Sequence, residues 1–434
     1  MTAAHAKEQL VYSRGRFHGL PSLDDNIRGL SAIVVGASGM SGQSMVDILV
    51  QTPIRWNNIF ALSRRPPKAA ADSVKHVPMD LLKTPEDNAA TLSKHSVRAD
   101  VVFFFGYVQL SAEERKYSAA DKESAQKLAD VNGSYSGKIF QDFLSALDLA
   151  SIRPKRILLQ TGLKNYQGHQ GPAKVPFHEA DPRINLGPLF YFDQEDILFE
   201  HCRTHPDTSY NVTMPSWIIG AVEASDMTTI YPLAVYASIQ RQLGQPLAFP
   251  GDTAAWEKIM PMSSAVLNSL FHEWVVLQGN TANQRFNIVD GSEFTWMAAW
   301  PKIAEWFGIG WSPPQEDESL YRTVEMPFRP RGYGPKGRCR SSFDLTVWSQ
   351  RPETREAWKM IKEEHDLKGE PLAGSGGMFA ALQFSLTMSW SWATKMDKAR
   401  KHGWHGFVDS AESLHGVMVE LSKQRMLPPI QQRV

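Results

Sequence analysis

Residues 30–50 constrain the fold of this chain more than any other stretch does. Leu30–Val35 is a short apolar run that includes Ile and two Val residues, which predicts a buried parallel strand. Gly36, Gly39 and Gly42 follow it, and a helical pattern then runs to Val50. The first glycine allows a tight turn, the second lets backbone approach a phosphate, and the third lets the helix pack on the strand. The helix would present free N–H groups to that phosphate, although three glycines alone also fit an ordinary strand–turn–helix.

Strand and helix patterns alternate over the first half of the chain. Further strands are expected at 57–63, 76–79, 99–107, 156–161 and 210–214, and helices at 122–149 and from residue 193. This alternation predicts an α/β fold with a Rossmann-type doubly wound parallel sheet. The alternation ends at Pro215, after which we expect helices at 234–243, 263–278 and 295–307 and a strand at 285–289.

These patterns divide the chain into three parts. Residues 1–29 form an N-terminal arm, 30–222 a dinucleotide-binding Rossmann domain, and 223–434 a mostly helical substrate-binding region. We expect the last part to pack over the carboxyl ends of the strands, because doubly wound sheets bind ligands there.

Charge and cysteine content exclude several classes of protein. Lys and Arg together number 46, as do Asp and Glu, so the chain offers no net field to nucleic acid or an anionic membrane. Its two cysteines, Cys202 and Cys339, make no disulfide framework and suit a reducing compartment. The N-terminus lacks the apolar core of a signal peptide, and polar residues interrupt the apolar stretch 378–392. We therefore expect a cytoplasmic protein without a membrane span, and the sequence leaves a homodimer open.

The histidines give no sign of a metal centre. His169, His178 and His201 lack the spacing of metal ligands relative to nearby acids. We interpret them as surface or core histidines and expect no metal site.

The end of the second strand indicates the type of dinucleotide. Enzymes that use NAD usually carry Asp or Glu about 20 residues after the glycines, to bind the ribose 2′-hydroxyl. This chain has Ser63, Arg64 and Arg65 there instead, and guanidinium groups suit bidentate contact with a 2′-phosphate. NADP(H) is therefore favoured as the cofactor, with a solvated basic loop as the alternative. Asp80, after the third strand, either contacts the adenine amino group or caps the residues that follow.

Two later segments carry groups that could act on a substrate. Residues 160–166 include Lys164 and Tyr166, and residues 189–200 include Tyr191 and Phe192. An ordinary short-chain dehydrogenase shows Tyr-x-x-x-Lys in the second segment. Its tyrosine donates a proton to a carbonyl oxygen, and its lysine lowers the tyrosine pKa and binds the nicotinamide ribose. That pair is missing from this segment.

On these segments the chain resembles the progesterone 5β-reductase/iridoid synthase-like family of atypical, extended short-chain dehydrogenases/reductases, and within it the fungal members of secondary-metabolism type. The resemblance covers nearly the whole chain, through the glycine loop and residues 64–66, 160–166, 195–196, 249–256 and 406–410. It implies NADPH-dependent reduction of an activated C=C bond in an enone, with Lys164 as the family's lysine. The family's tyrosine is the second of a Phe-Tyr-Tyr run, and the resemblance places Phe192 at that position.

Phe192 leaves the hydrogen-bond donor of the reaction unassigned, because phenylalanine has no hydroxyl. Tyr191 or Tyr166 could supply it, or water or Lys164 could suffice for a reactive enone. Alternatively, the fold catalyses a redox-neutral isomerisation or cyclisation. The leading hypothesis is an NADPH-dependent reductase of an enone or carbonyl in a small, largely apolar metabolite. A dinucleotide-sensing protein without catalysis is a further hypothesis, against which Lys164 argues.

The remaining site residues are predicted from their places around the cofactor and from the resemblance. The residues expected to bind the cofactor are Gly36, Ser38, Gly39, Met40, Ser41, Gly42, Ser63, Arg64, Arg65, Asp80, Leu81, Phe105, Gly106, Gln160, Thr161, Lys164, Pro215, Ser216 and Ile218. The residues expected to contact the substrate are Tyr107, Tyr191, Phe192 and Trp217.

Overall fold

The computed structural model describes residues 10–68, 71–107, 122–222, 228–373 and 377–430. Its strands are β1 (Val11–Arg14), β2 (Phe17–Pro21), β3 (Leu30–Val35), β4 (Trp56–Ser63), β5 (Val74–Pro78), β6 (Val101–Phe104), β7 (Arg156–Gln160), β8 (Ser209–Pro215), β9 (Trp217–Ile219), β10 (Leu247–Ala248), β11 (Met262–Ser264), β12 (Gln284–Ile288), β13 (Trp311–Ser312), β14 (Arg322–Glu325) and β15 (Arg338–Ser341). Its helices are α1 (Met40–Leu49), α2 (Pro85–Lys94), α3 (Lys122–Leu149), α4 (Phe190–Thr204), α5 (Ile230–Gln242), α6 (Thr253–Glu257), α7 (Ala265–Leu277), α8 (Trp296–Phe307), α9 (Leu345–Trp348), α10 (Pro352–His365), α11 (Gly377–Thr387), α12 (Asp397–Lys401) and α13 (Ser410–Lys423).

Seven parallel strands form the central sheet, in the order β12-β8-β7-β6-β3-β4-β5. β3 lies inside this sheet, and its residues 32–35 are fully buried, as expected for a strand with helices on both faces. The strand order reverses between β3 and β6, which opens a crevice at the carboxyl ends of these two strands. The predicted doubly wound α/β fold is confirmed.

The second half of the chain returns to this sheet. β12 pairs in parallel with β8 at the edge of the sheet, and α7 packs against α1. On α7, Glu273 accepts hydrogen bonds from the Trp56 indole at 2.8 Å and from the Arg55 guanidinium at 3.3 Å. Two elements that follow residue 222 therefore belong to the Rossmann layer, although the sequence patterns assigned them to the substrate-binding region.

The N-terminal arm is a hairpin that docks on the end of the chain. β1 and β2 pair antiparallel, and His18 exchanges two backbone hydrogen bonds with Phe407, at 3.0 and 2.9 Å. The Arg16 guanidinium donates to the carbonyl of Glu412 at 2.8 Å. Residues 11–14 of the hairpin are exposed, whereas Leu20 and Pro21 at the end of β2 are buried.

Helices dominate the C-terminal half, as predicted. The stretch 378–392 forms most of α11 and the loop after it, with Phe379, Leu382 and Leu386 buried. Across the described parts of the chain, no helix is both long and apolar enough to span a bilayer.

Candidate active site

A cleft of about 880 Å³ lies along the carboxyl ends of the central strands. The glycine loop and the ends of β4, β5 and β6 line one side, and segments after β7 and β8 line the other. α11 covers part of the cleft from the helical region through Ala381 and Phe384. All nineteen residues predicted to bind the cofactor line this cleft, as do Tyr107, Tyr191 and Trp217. Their roles in binding remain predictions.

The glycine loop leaves no room for side chains where the chain turns into α1. Gly36 has φ +77°, and a Cβ on Gly42 would lie 2.1 Å from the Gly36 carbonyl oxygen. Gly39 precedes α1 without a side-chain cap on the first amides of the helix. The loop therefore brings bare backbone and the positive end of α1 to the cleft, which is an anion-binding arrangement.

Two arginines stand at one end of the cleft. Arg64 and Arg65 are exposed beyond β4, and neither guanidinium has a hydrogen-bond or ion-pair partner among the described residues. Ser63 does not point its hydroxyl outward, because it donates to the Arg65 carbonyl at 2.5 Å. Asp80 lines the cleft and also closes the turn after β5, since its Oδ1 accepts from the Leu82 amide at 3.1 Å.

The groups that could react lie at the other end of the cleft. Lys164 is on a 3₁₀ turn (Leu163–Tyr166) directly after β7, and Tyr191 is in the first turn of α4. A Cβ on Gly162 would lie 3.2 Å from the Tyr191 hydroxyl oxygen. Glycine at this position therefore leaves space for the tyrosine beside the lysine segment.

Surrounding protein changes the acidity of both groups. The Lys164 side chain is accessible from the cleft. The protein that surrounds it nevertheless removes water from the ammonium group and so lowers its pKa. Burial, and then the nearby Tyr107, raise the pKa of Tyr191, so its hydroxyl keeps its proton. Neither side chain has a hydrogen-bond partner within the described ranges, so both groups are available to a ligand.

A buried carboxylate joins the segments that carry Lys164 and Tyr191. Glu195 lies one turn after Tyr191 on α4, and its side chain is fully buried. It accepts from the amide of Asn165, next to Lys164, at 2.8 Å. It also pairs with Arg183 at 2.9 Å and with Arg285 on β12 at 3.3 Å. Glu195 thus fixes the lysine turn against α4.

Two predicted site residues lie outside the cleft. Phe192 does not line it, and its ring packs instead under the Arg183 guanidinium, 4.9 Å from the ring centroid. Tyr166 is buried, stacks on Phe177 and donates its hydroxyl to Asn287 at 2.8 Å. Of the three aromatic candidates, Tyr191 alone brings a hydroxyl to the cleft. Phe192, predicted to contact the substrate, and the Tyr166 hydroxyl, predicted as a possible donor, are therefore both placed outside the cleft.

Sequence reasoning missed nine of the cleft residues, among them His169, Phe384 and Trp392. His169, interpreted as a surface or core histidine, lines the cleft near Lys164. Burial, and secondly the charge of Lys164, lower the pKa of His169 to about 3, so the ring is neutral. Phe384 and Trp392 reach the cleft from the helical region, where Trp392 stacks on Trp217 at 5.7 Å. No local motif marks them, since their positions depend on tertiary packing.

The sequence profile of the family described as "PRISE-like Rossmann-fold domain" matches residues 32–327. The match spans the glycine loop, the arginine pair, the Lys164 segment and Tyr191. The chain belongs to this family. The family resemblance inferred from the sequence is thereby confirmed.

Three named relatives are similar over nearly their full length. The PRISE-like chain is 32% identical to a "3-oxo-Delta(4,5)-steroid 5-beta-reductase" of Arabidopsis thaliana over 88% of its own length and 89% of that protein. It is 27% identical to the "Short chain dehydrogenase gsfE" of Penicillium aethiopicum, over 92% and 99% of the two chains. It is also 27% identical to the "(S)-8-oxocitronellyl enol synthase CYC2" of Camptotheca acuminata, over 92% and 93%. The PRISE-like chain is an enzyme of the short-chain dehydrogenase/reductase superfamily.

Proposed function

We propose that this protein is an NADPH-dependent reductase of an activated C=C bond or a carbonyl in a small, largely apolar metabolite. The observation that carries the proposal is that Lys164 and Tyr191 line the same cleft, with the Tyr191 hydroxyl beside Gly162, two residues before Lys164. A relative named as a steroid 5-beta-reductase supports the same type of reaction.

The chain's own residues fit a phosphorylated dinucleotide. A Cβ at Gly42 would clash with the Gly36 carbonyl, so glycine there keeps the loop tight against α1, and a pyrophosphate could approach the uncapped backbone at Gly39. Arg64 and Arg65 have no protein partner among the described residues and would hold the 2′-phosphate. When bound, the nicotinamide supplies the hydride; the protein supplies position and electrostatics.

Tyr191 is the residue that would donate a hydrogen bond to the carbonyl oxygen of the substrate. Its hydroxyl keeps its proton because burial raises its pKa, so it can donate a hydrogen bond to a carbonyl oxygen as negative charge develops there. Lys164 lines the same cleft and would bind the nicotinamide ribose. The indole rings of Trp217 and Trp392 with Phe384 give the substrate end an apolar, aromatic surface.

The proposal is tested by NADPH oxidation against a panel of enones, with the mass of each product recorded. Reduction predicts oxidation of one NADPH per product molecule and a product heavier by two hydrogen atoms. Turnover by protein stripped of dinucleotide would contradict it.

A second candidate is a redox-neutral cyclisation or isomerisation on the same scaffold. The relative named as an enol synthase favours this candidate. The phenylalanine at position 192 is no longer an argument for it, because the Tyr191 hydroxyl lines the cleft and could act as the hydrogen-bond donor. Unchanged product mass with altered chromatographic retention would support this candidate over reduction.

The cofactor preference is tested at the arginine pair. The double variant Arg64→Ala with Arg65→Ala should raise the Kd for NADPH at least tenfold, because each charged hydrogen bond contributes about 1.5–3 kcal/mol. The Kd for NADH should change little. Arg98→Ala, on an exposed arginine outside the cleft, is the matched control. Equal weakening of both dinucleotides would refute NADPH preference.

A further inference from the structure

Three metal-ligating side chains meet at the edge of the Rossmann layer opposite the cleft. Asp148 is near the end of α3, His201 is in the last turn of α4, and His205 follows that helix. α3 and α4 lead into β7 and β8, so their last turns lie at the amino ends of these strands. The cleft is at the carboxyl ends, and this cluster is therefore separate from it.

The three side chains are close enough to share one ion. The ligand atoms that Asp148, His201 and His205 can offer all lie within 4.8 Å of one another. The two imidazole rings, spaced four residues apart at the helix end, stack with centroids 4.2 Å apart. His205 Nε2 is 3.3 Å from Asp148 Oδ1.

The hydrogen bonding of His205 indicates what belongs between it and Asp148. Its Nδ1 lies 2.9 Å from the His201 carbonyl oxygen. A carbonyl oxygen only accepts, so Nδ1 carries a proton, and Nε2 is the ring atom that faces the carboxylate. At 3.3 Å, a lone pair on His205 Nε2 would repel the Asp148 carboxylate oxygen, so either a proton on Nε2 or a bound cation must lie between the two atoms. The same Nδ1 contact orients the ring as second-shell hydrogen bonds orient metal-bound histidines.

The other two ligands are also available. The His201 ring is half-buried, and its ligand atom belongs to the same cluster as those of Asp148 and His205. Asp148 binds the Arg153 guanidinium through Oδ1 at 2.8 Å. Its Oδ2 has no protein partner among the residues described and can turn to an ion.

We propose that Asp148, His201 and His205 bind a zinc-class divalent cation. Two imidazoles and one carboxylate suit Zn²⁺, Co²⁺, Ni²⁺ or Cu²⁺, whereas Mg²⁺ and Ca²⁺ prefer sites made of oxygen atoms. The ion clamps the end of α3 to the end of α4 and takes no part in the reaction at the cleft.

The test is isothermal titration calorimetry, in which Zn²⁺ is titrated into metal-free protein that carries no polyhistidine tag. We expect one Zn²⁺ per chain and a rise in melting temperature on binding. His205→Gln and Asp148→Asn should each weaken binding at least tenfold and reduce that rise. His95→Gln, on an exposed histidine at the end of α2, is the matched control and should bind as the wild type does. Mg²⁺ should give no comparable heat.

Absence of saturable Zn²⁺ binding would overturn the proposal, as would wild-type affinity in His205→Gln. Should His205→Gln fail to fold, His201→Gln provides the same test from the helix itself. The site is independent of the proposed reaction, so loss of Zn²⁺ binding leaves the reductase assignment untouched.

Discussion

At the residue scale, the position of the Tyr191 hydroxyl decides which aromatic side chain could donate a hydrogen bond in the cleft. It lies in the cleft with Lys164, while the neighbouring Phe192 packs against Arg183 outside it. One helical position thus decides whether a side chain lies in the cleft or against Arg183.

Tyr191→Phe should lower kcat by roughly 10²–10³-fold, because removing one donor to a developing oxyanion costs about 2.7–4 kcal/mol. Phe192→Tyr is the matched control and should leave kcat within a few-fold, since its new hydroxyl would lie beside Arg183. Steady-state rates at saturating NADPH and enone measure both. A fully active Tyr191→Phe protein would remove Tyr191 from the reaction.

Local sequence predicts some of these residues well and others poorly. The glycine loop and Lys164 follow directly from β3 and β7, so their position at the cleft could be predicted. The choice between Tyr191 and Phe192 depends on where α4 begins: residue 193 was expected, but the helix starts at Phe190. Spacing along the chain could not bring Asp148 together with His201, because the two residues lie on different helices.

At the scale of elements, Glu195 links the lysine turn, α4 and β12. Its buried carboxylate pairs with Arg183 and Arg285 and accepts from Asn165. Breaking a buried pair from one side costs about 3–5 kcal/mol, because the remaining charges lose their partner.

Glu195→Gln should therefore lower the melting temperature and kcat together, since both the packing of α4 and the placement of Lys164 depend on it. Asp196→Asn is the control: this carboxylate binds the same Arg183 but is 62% exposed, and exposed pairs contribute about 0–1 kcal/mol. Thermal unfolding and kcat, measured in parallel, test the difference. Equal effects of the two variants would contradict it.

On the scale of the whole molecule, Asp290 joins the sheet to the helical region. It follows β12, and its carboxylate accepts from the Ser264 amide before α7 and from the Ser410 hydroxyl at the start of α13. Burial raises the pKa of Asp290 to about 7. In the unfolded chain the same group titrates near 3.8.

Between these two values the folded protein holds a proton that the unfolded chain releases, so stability from Asp290 is present at low pH and is lost as pH rises through about 7. The stability of the wild type relative to Asp290→Asn should accordingly fall by as much as about 4 kcal/mol from pH 4 to pH 8. Urea unfolding at both ends of this range measures it. A pH-independent difference would show that Asp290 stays ionised.

The fold class could be predicted because alternating patterns are local, but the membership of the sheet could not. Residues 216–283, which include α5 to α7, separate β12 from β8 along the chain. Sequence periodicity indicates that residues 284–288 form a strand, but it does not indicate which edge of the central sheet this strand joins.

Because β12 follows β8 by almost seventy residues, β8 is synthesised well before the strand that pairs with it. Until residue 288 has left the exit tunnel, β8 stands at an open edge with unpaired amides and carbonyls, and α1 lacks the cover of α7. Such an edge is a template for pairing with other chains. A nascent chain paused after residue 222 would therefore be a target for chaperones, and the same fragment expressed alone should aggregate, whereas one ending beyond β12 should not.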